Sequence, residues 1–238
     1  MPSNFDGGGG GGGGGDGDAP FTLTGSATSG LTVTYASSNT AVATVSGNVV
    51  IIVGPGTTTI TAAQAGNSTY NPAPSVSQSL SVDKKTLTVS GAAAQNKVYD
   101  GNTNAVITGA TLNGIVGTDV VTVSGGGTFA DANAGTSISV TSNLVLGGAD
   151  AGKYYIQQPS GLTATINKVS QTISFSAIPP KTTSSLPFTL NGTASSGLTV
   201  SYSSSNTAVA TVSGNTVTIM GSGVTNITAS QAGNTNIL

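Results

Sequence analysis

Short runs of alternating apolar and polar residues dominate this chain, and the period is two. Leu31–Tyr35, Thr86–Val89 and the Val217–Ile219 part of Thr216–Met220 place apolar side chains at every second position, the signature of half-buried strands, and Thr57–Thr61, threonines around Ile60, is read as a strand with them. Ala41–Val45 is a denser apolar strand. It leads through Ser46, Gly47 and Asn48 into Val49–Val53, and a Gly beside an Asn supplies the positive φ that tight hairpins need. The same hairpin recurs over Ala208–Val212, Ser213–Asn215 and Thr216–Met220. No stretch keeps apolar residues at i, i+3, i+4 and i+7 over three turns, so helix is expected to be nearly absent.

The two hairpins belong to a longer internal repeat. Residues 37–48 and 204–215 are identical, Ser29–Val33 returns as Ser196–Val200, and Gln64–Asn67 returns as Gln231–Asn234, all at a constant offset of 167 residues. A copied β-rich module extends reach and surface, which a scaffold needs and a single catalytic site does not. The pattern predicts an all-β chain of three tandem Ig-like β-sandwich modules, the first and last homologous. Residues 1–19 form a Gly-rich N-terminal segment, 20–83 the first module, 84–167 a different β module, and 168–238 the second Ig-like module. Three of the six lysines, Lys84, Lys85 and Lys168, mark the junctions.

Composition removes several functions. Only 6 % of residues are charged, all acids are Asp, all bases are Lys, and Glu, Arg, His, Cys and Trp are absent. A net charge of −2 without Arg offers no footprint for phosphates, so nucleic acid is not an expected partner. Without His or Cys there is no ordinary zinc, haem or iron–sulfur site and no disulfide. No apolar run reaches the length of a membrane span. Met1–Asp6 lacks the basic and apolar regions of a signal peptide, and the chain is expected to be a segment of something longer.

The first and third modules resemble bacterial Ig-like (Big-type) repeats of large surface proteins. The resemblance lies in Gln171–Phe175, Pro187–Leu190, Ser196–Val200, Ser205–Asn215 and Ile227–Ala229. The middle module resembles the YDG/MBG (mostly-β, glycine-rich) repeats of such proteins, through Lys97–Gly101 with Thr103, Gly117–Asp119, Phe129 and Leu146–Tyr154. The resemblance implies a secreted or surface-attached bacterial stalk, adhesin or filament protein, located outside the cell, and it brings no catalytic residue.

Candidate sites are few. Tyr99, Asp100 and Gly101 could form a ligand contact, but an Asp that bonds its own backbone beside a positive-φ Gly is the ordinary chemistry of a turn. Tyr154 and Tyr155 are the best aromatic platform for a glycan. Calcium would need Asp100, Asp119, Asp131 and Asp150 to converge from separate loops, and no EF-hand spacing is present; no cofactor is expected. The serines have no His to activate them, and no acid pair has a catalytic frame, so no enzymatic activity is expected. Thr-x-Thr ranks such as Thr32–Thr34 fit the outward face of strands better than an ice- or crystal-binding surface, which needs a fixed short repeat.

The ends of the repeat depart from one another. The 167-residue offset lays Asn4–Gly10 on the apolar segment Gln171–Ala177, so Gly7–Gly15 replaces a core strand. The counterpart of Val76–Val82 does not occur in the third module. These features predict that the chain's partner is itself, head to tail, or a neighbouring repeat, with Phe5 and the Gly7–Gly15 run as the assembly segment. The alternative is a carbohydrate- or surface-binding adhesin module that takes glycans.

Overall fold

A computed structural model describes residues 14, 15 and 17–238. The expectations placed on Phe5, Gly7 and the Asn4–Gly10 segment lie outside the described residues. The chain is all-β; the 3-10 turn Ala151–Lys153 is its one helical element among the described residues. It folds as two compact units. The first is Met1–Ala93, Val106–Gly127 and Thr141–Leu162; the second is Ala94–Ala105, Thr128–Val140 and Thr163–Leu238. The expected middle module of residues 84–167 therefore contributes to both units.

In the first unit, Ala43–Ser46 and Val49–Ile52 form an antiparallel hairpin closed by Gly47 and Asn48, with Gly47 at φ +62°. Phe21–Thr22 adds to the outer edge of Val49–Ile52. A second sheet orders Gly14–Gly15, Ala73–Asp83, Gly56–Gln64 and Thr34–Ser37. The inward-facing residues Leu23, Ala43, Val50 and Ile60 make the core, with Tyr35 and Leu80 packed against it. Leu31–Val33 stays outside the ladder, and the strand expected there starts at Thr34.

The second unit repeats this plan in the same register. Ala210–Ser213 and Thr216–Ile219 form the hairpin, Phe188–Thr189 joins it, and Ser201–Ser204 pairs with Ile227–Ser230. The core is Leu190, Ala210 and Val217, at the positions of Leu23, Ala43 and Val50. Polar joints are copied as well. The Ser37 and Thr58 hydroxyls are 2.8 Å apart and the Asn39 N–H donates to Thr58 at 2.9 Å; Ser204, Thr225 and Asn206 repeat these bonds at 2.8 and 3.0 Å.

Between the repeats, Lys85–Ser90 lies antiparallel to Thr111–Asn113 and parallel to Tyr154–Gln157, all in the first unit. In the second unit, Thr163–Asn167 runs parallel to Lys97–Val98 and antiparallel to Gly135, Ile138 and Ser139. Buried apolar residues of these strands are Leu87 and Tyr154 in the first unit and Val140 and Ile166 in the second.

Candidate functional site

Two polar constellations gather the ionic residues of the middle region. The first belongs to the first unit. The turn Ala151–Lys153 brings Lys153 to Asp119, 34 residues earlier, at 2.9 Å, and to Asp150 at 2.9 Å. The Tyr154 hydroxyl donates to the other Asp119 oxygen at 2.5 Å and accepts from the Val116 N–H at 3.0 Å. Asp150 accepts from the Val120 N–H at 2.9 Å. The two motif segments Gly117–Asp119 and Leu146–Tyr154, far apart in sequence, are thus tied into one knot. The Val120 N–H and the Lys153 ammonium hold the Asp150 carboxyl below the usual value. Asp119 first, then Asp150, raises the Lys153 ammonium above its ordinary range. A lysine held so firmly as a cation is no nucleophile, and the arrangement works as a clamp.

The second constellation lies in the second unit around Asp100. Its Oδ1 accepts from the Asn102 N–H at 3.1 Å and from the Lys97 ammonium at 2.7 Å, while Gly101 takes φ +77°. Lys97 also donates to the Asn102 carbonyl at 2.6 Å and lies 5.4 Å from the Phe129 ring centre. Lys97 first, then the Asn102 N–H, lowers the Asp100 pKa. Tyr99 is half-buried and donates its N–H to Asn167 at 2.8 Å.

The expected aromatic platform is divided. Successive residues of a strand face opposite sides, so Tyr154 is 3 % exposed and committed to Asp119, while Tyr155 is 60 % exposed with the Lys84 ammonium 5.3 Å from its ring centre. Among the described residues no three acidic side chains form a group that could hold a metal ion, and Asp131 bonds Asn133 within its own turn. Gly15 pairs with Asp83 in parallel, at the edge of its own unit. No helix of the described residues is long and apolar enough to cross a membrane.

Lys97 and Lys153 carry these sites; both fall in the motif segments read from the sequence, which gave neither lysine a role. Lys153 sits three residues after Asp150, a spacing that signals an ion pair, but its bond to Asp119 depends on the tertiary path. The reading also missed a pair of matching clefts of about 700 Å³, one in each unit. The first is lined by Leu23, Gly25, Thr32, Tyr35 and Asn48 among others, and the second by their counterparts Leu190, Gly192, Thr199, Tyr202 and Asn215. The Tyr35 hydroxyl accepts from Gly25 N–H and the Tyr202 hydroxyl from Gly192 N–H, both at 2.6 Å. A Cβ on Gly25 would lie 2.5 Å from that hydroxyl, so a larger residue there must displace the Tyr35 ring. Among the described residues no charged side chain lines either cleft.

The acid–base contacts fix a pH response. Asp100 and Asp150, with pKa values lowered by folding, contribute stability above the unfolded value and lose it as pH falls through the folded one. Lys153, with its pKa raised, contributes below the unfolded lysine value and loses that contribution only at more alkaline pH. Neither window overlaps pH 5–8, and no His, Cys or Glu is present to titrate there. The melting temperature is expected to stay within a few degrees from pH 5 to 8 at fixed salt and to fall below about pH 4. Melting curves by circular dichroism check this; a slope inside that window would contradict the assignment.

Residues 83–161 match the YDG domain family. The match spans Tyr99–Gly101, Gly117–Asp119 and Leu146–Tyr154, and hence both constellations. No curated protein matches the chain. Among solved structures, the crystal structure of Drosophila N-cadherin EC1-4 is similar at 14 % identity and a TM-score of 0.29, covering 84 % of this chain. The chain spans 61 % of the length of that structure.

Proposed function

We propose that the chain is a structural segment of a bacterial extracellular filament, stalk or surface adhesin, and that it works by mechanical spacing and end-to-end contact, without catalysis. One observation carries the mechanical part: opening and closing segments lie side by side and parallel. Gly14–Gly15 runs along Val82–Asp83, and Lys97–Val98 along Ile166–Asn167. Tension applied along the chain pulls such neighbours in opposite directions along their own axes. Several backbone hydrogen bonds then share the load, instead of breaking one at a time. The YDG domain and the copied module are consistent with this use.

Single-molecule force spectroscopy tests the reading. Stepwise unfolding at forces above those of a domain loaded by unzipping is expected. Tyr99→Pro removes the N–H that donates to the Asn167 carbonyl at 2.8 Å, at the end of the Lys97–Val98 pairing, because proline has no N–H. It should lower the force of one step. Low forces unaffected by Tyr99→Pro would defeat the mechanical reading.

The paired clefts favour a second reading, a binding module for a neutral saccharide. Ten of the twelve lining positions are identical in the two copies, and the other two, Ser26/Thr193 and Thr34/Ser201, exchange one hydroxyl for another. Hydroxyls, an amide and a tyrosine ring without charge suit sugar hydroxyls and a sugar face. Glycan-array binding that survives Tyr155→Ala and disappears in the Thr32→Ala/Thr199→Ala double variant would support it; an empty array would remove it.

A further inference from the structure

The walls of the two clefts carry nearly the same side chains, while the alternate residues that follow them in sequence have all changed. Val49, Ile51, Val53, Pro55, Thr57 and Thr59 stand where the second repeat has Thr216, Thr218, Met220, Ser222, Val224 and Asn226. Both copies have had the same time to diverge, so the walls are constrained and the row beyond them is not. Turn geometry accounts for the wall glycines and for Asn48. Core packing does not account for Thr32 and Thr199, which are exposed in both copies and unchanged.

Two features prepare each cleft for a ligand. The tyrosine is fixed: Tyr35 accepts from the Gly25 N–H, and Tyr202 accepts from the Gly192 N–H and donates to the Gly192 carbonyl at 3.2 Å. A ring already held in place loses little freedom on binding. The walls also present bare backbone. Gly30 and Gly47 line the first cleft, Gly197 and Gly214 the second, and nothing lies within 4 Å of an added Cβ at any of the four. A ligand can therefore approach the main chain closely.

Among the described residues neither cleft offers a charge, so no ionic bond anchors a ligand. Neutral hydrogen bonds replace bonds to water and each adds little, so one cleft alone is a weak site. Two weak sites on one chain gain when a single ligand reaches both, because the second contact is then intramolecular. We infer that the clefts act as a pair on one neutral polysaccharide chain, each taking a separate stretch of it, with Thr32 and Thr199 as equivalent contacts. The occupant is an external polymer; a short oligosaccharide fills one cleft at a time. This inference rests on the saccharide reading of the clefts given above and adds the length of the ligand.

Three soluble neutral polysaccharides, a mannan, a galactan and a mixed-linkage β-glucan, test it beside hexasaccharides cut from each, by calorimetric titration of the full chain. For one of the three, affinity per saccharide unit should be at least about tenfold higher for the polymer than for its hexasaccharide. Thr32→Ala and Thr199→Ala should each bring polymer binding down to the hexasaccharide level. In each variant the hexasaccharide stoichiometry should halve while its affinity for the remaining cleft stays the same. Hexasaccharide binding with no gain from the polymer, or single variants that keep the gain, would overturn the pairing and leave the saccharide reading standing. Failure of every polymer and hexasaccharide to bind would overturn both.

Discussion

Tyr154→Ala is expected to cost about 3–5 kcal/mol of stability, the range for deleting a large buried aromatic side chain. The ring is 3 % exposed, so truncation leaves a cavity beside Lys85–Ser90. It also removes the hydroxyl that bonds Asp119 and the Val116 N–H. Tyr154→Phe separates the two effects, because it keeps the ring and should cost about 1.5–3 kcal/mol, as for a hydrogen bond to a charged group. Urea denaturation with an unchanged m-value measures both. Equal losses in the two variants would assign everything to the hydroxyl. Glycan binding lost in Tyr154→Ala would thus report damage to the fold, and Tyr155→Ala is the informative variant for that question.

Gly148→Ala has the second-largest expected effect, a loss of about 2–3 kcal/mol, because it combines a left-handed backbone with a backbone collision. Gly148 sits at φ +97°, and an added Cβ would be driven into the Val120 carbonyl oxygen, with the carbonyl carbon at 3.0 Å. That oxygen also accepts the Asp150 N–H at 3.2 Å, so displacement would strain the Asp150 side of the clamp. Gly152→Ala is the control: nothing lies within 4 Å of its added Cβ, and no left-handed φ is involved. Chemical denaturation of the pair should show the loss at 148 and little change at 152. Similar curves would show that the Val120 segment yields freely.

Local chemistry was legible in the sequence, and long-range placement was not. The Gly47 and Gly214 hairpins follow from turn residues and period-two strands, which act within a few positions. The Asp100 turn is local too, with its Asn102 bond two residues away. The Lys153 clamp joins groups more than thirty residues apart, and nothing local selects Asp119 over Asp131. Alternation says that one of Tyr154 and Tyr155 turns inward; which one depends on the register against Lys85–Ser90. The matched clefts arise because Leu31–Val33 leaves the ladder despite its alternation, a tertiary override of a sound local pattern.

The parallel pairing of Gly14–Gly15 with Val82–Asp83 also dictates an order of events during synthesis. The hairpin Ala43–Ile52 joins neighbours in sequence and can close as soon as it leaves the ribosome. The outer ladder cannot, because its second strand is made last. At about 5–20 residues per second, Gly15 waits on the order of several seconds for Asp83. Through that interval Leu80 and Val82 are absent from the first core, so the nascent repeat passes through a stage in which its Gly56–Gln64 edge is open.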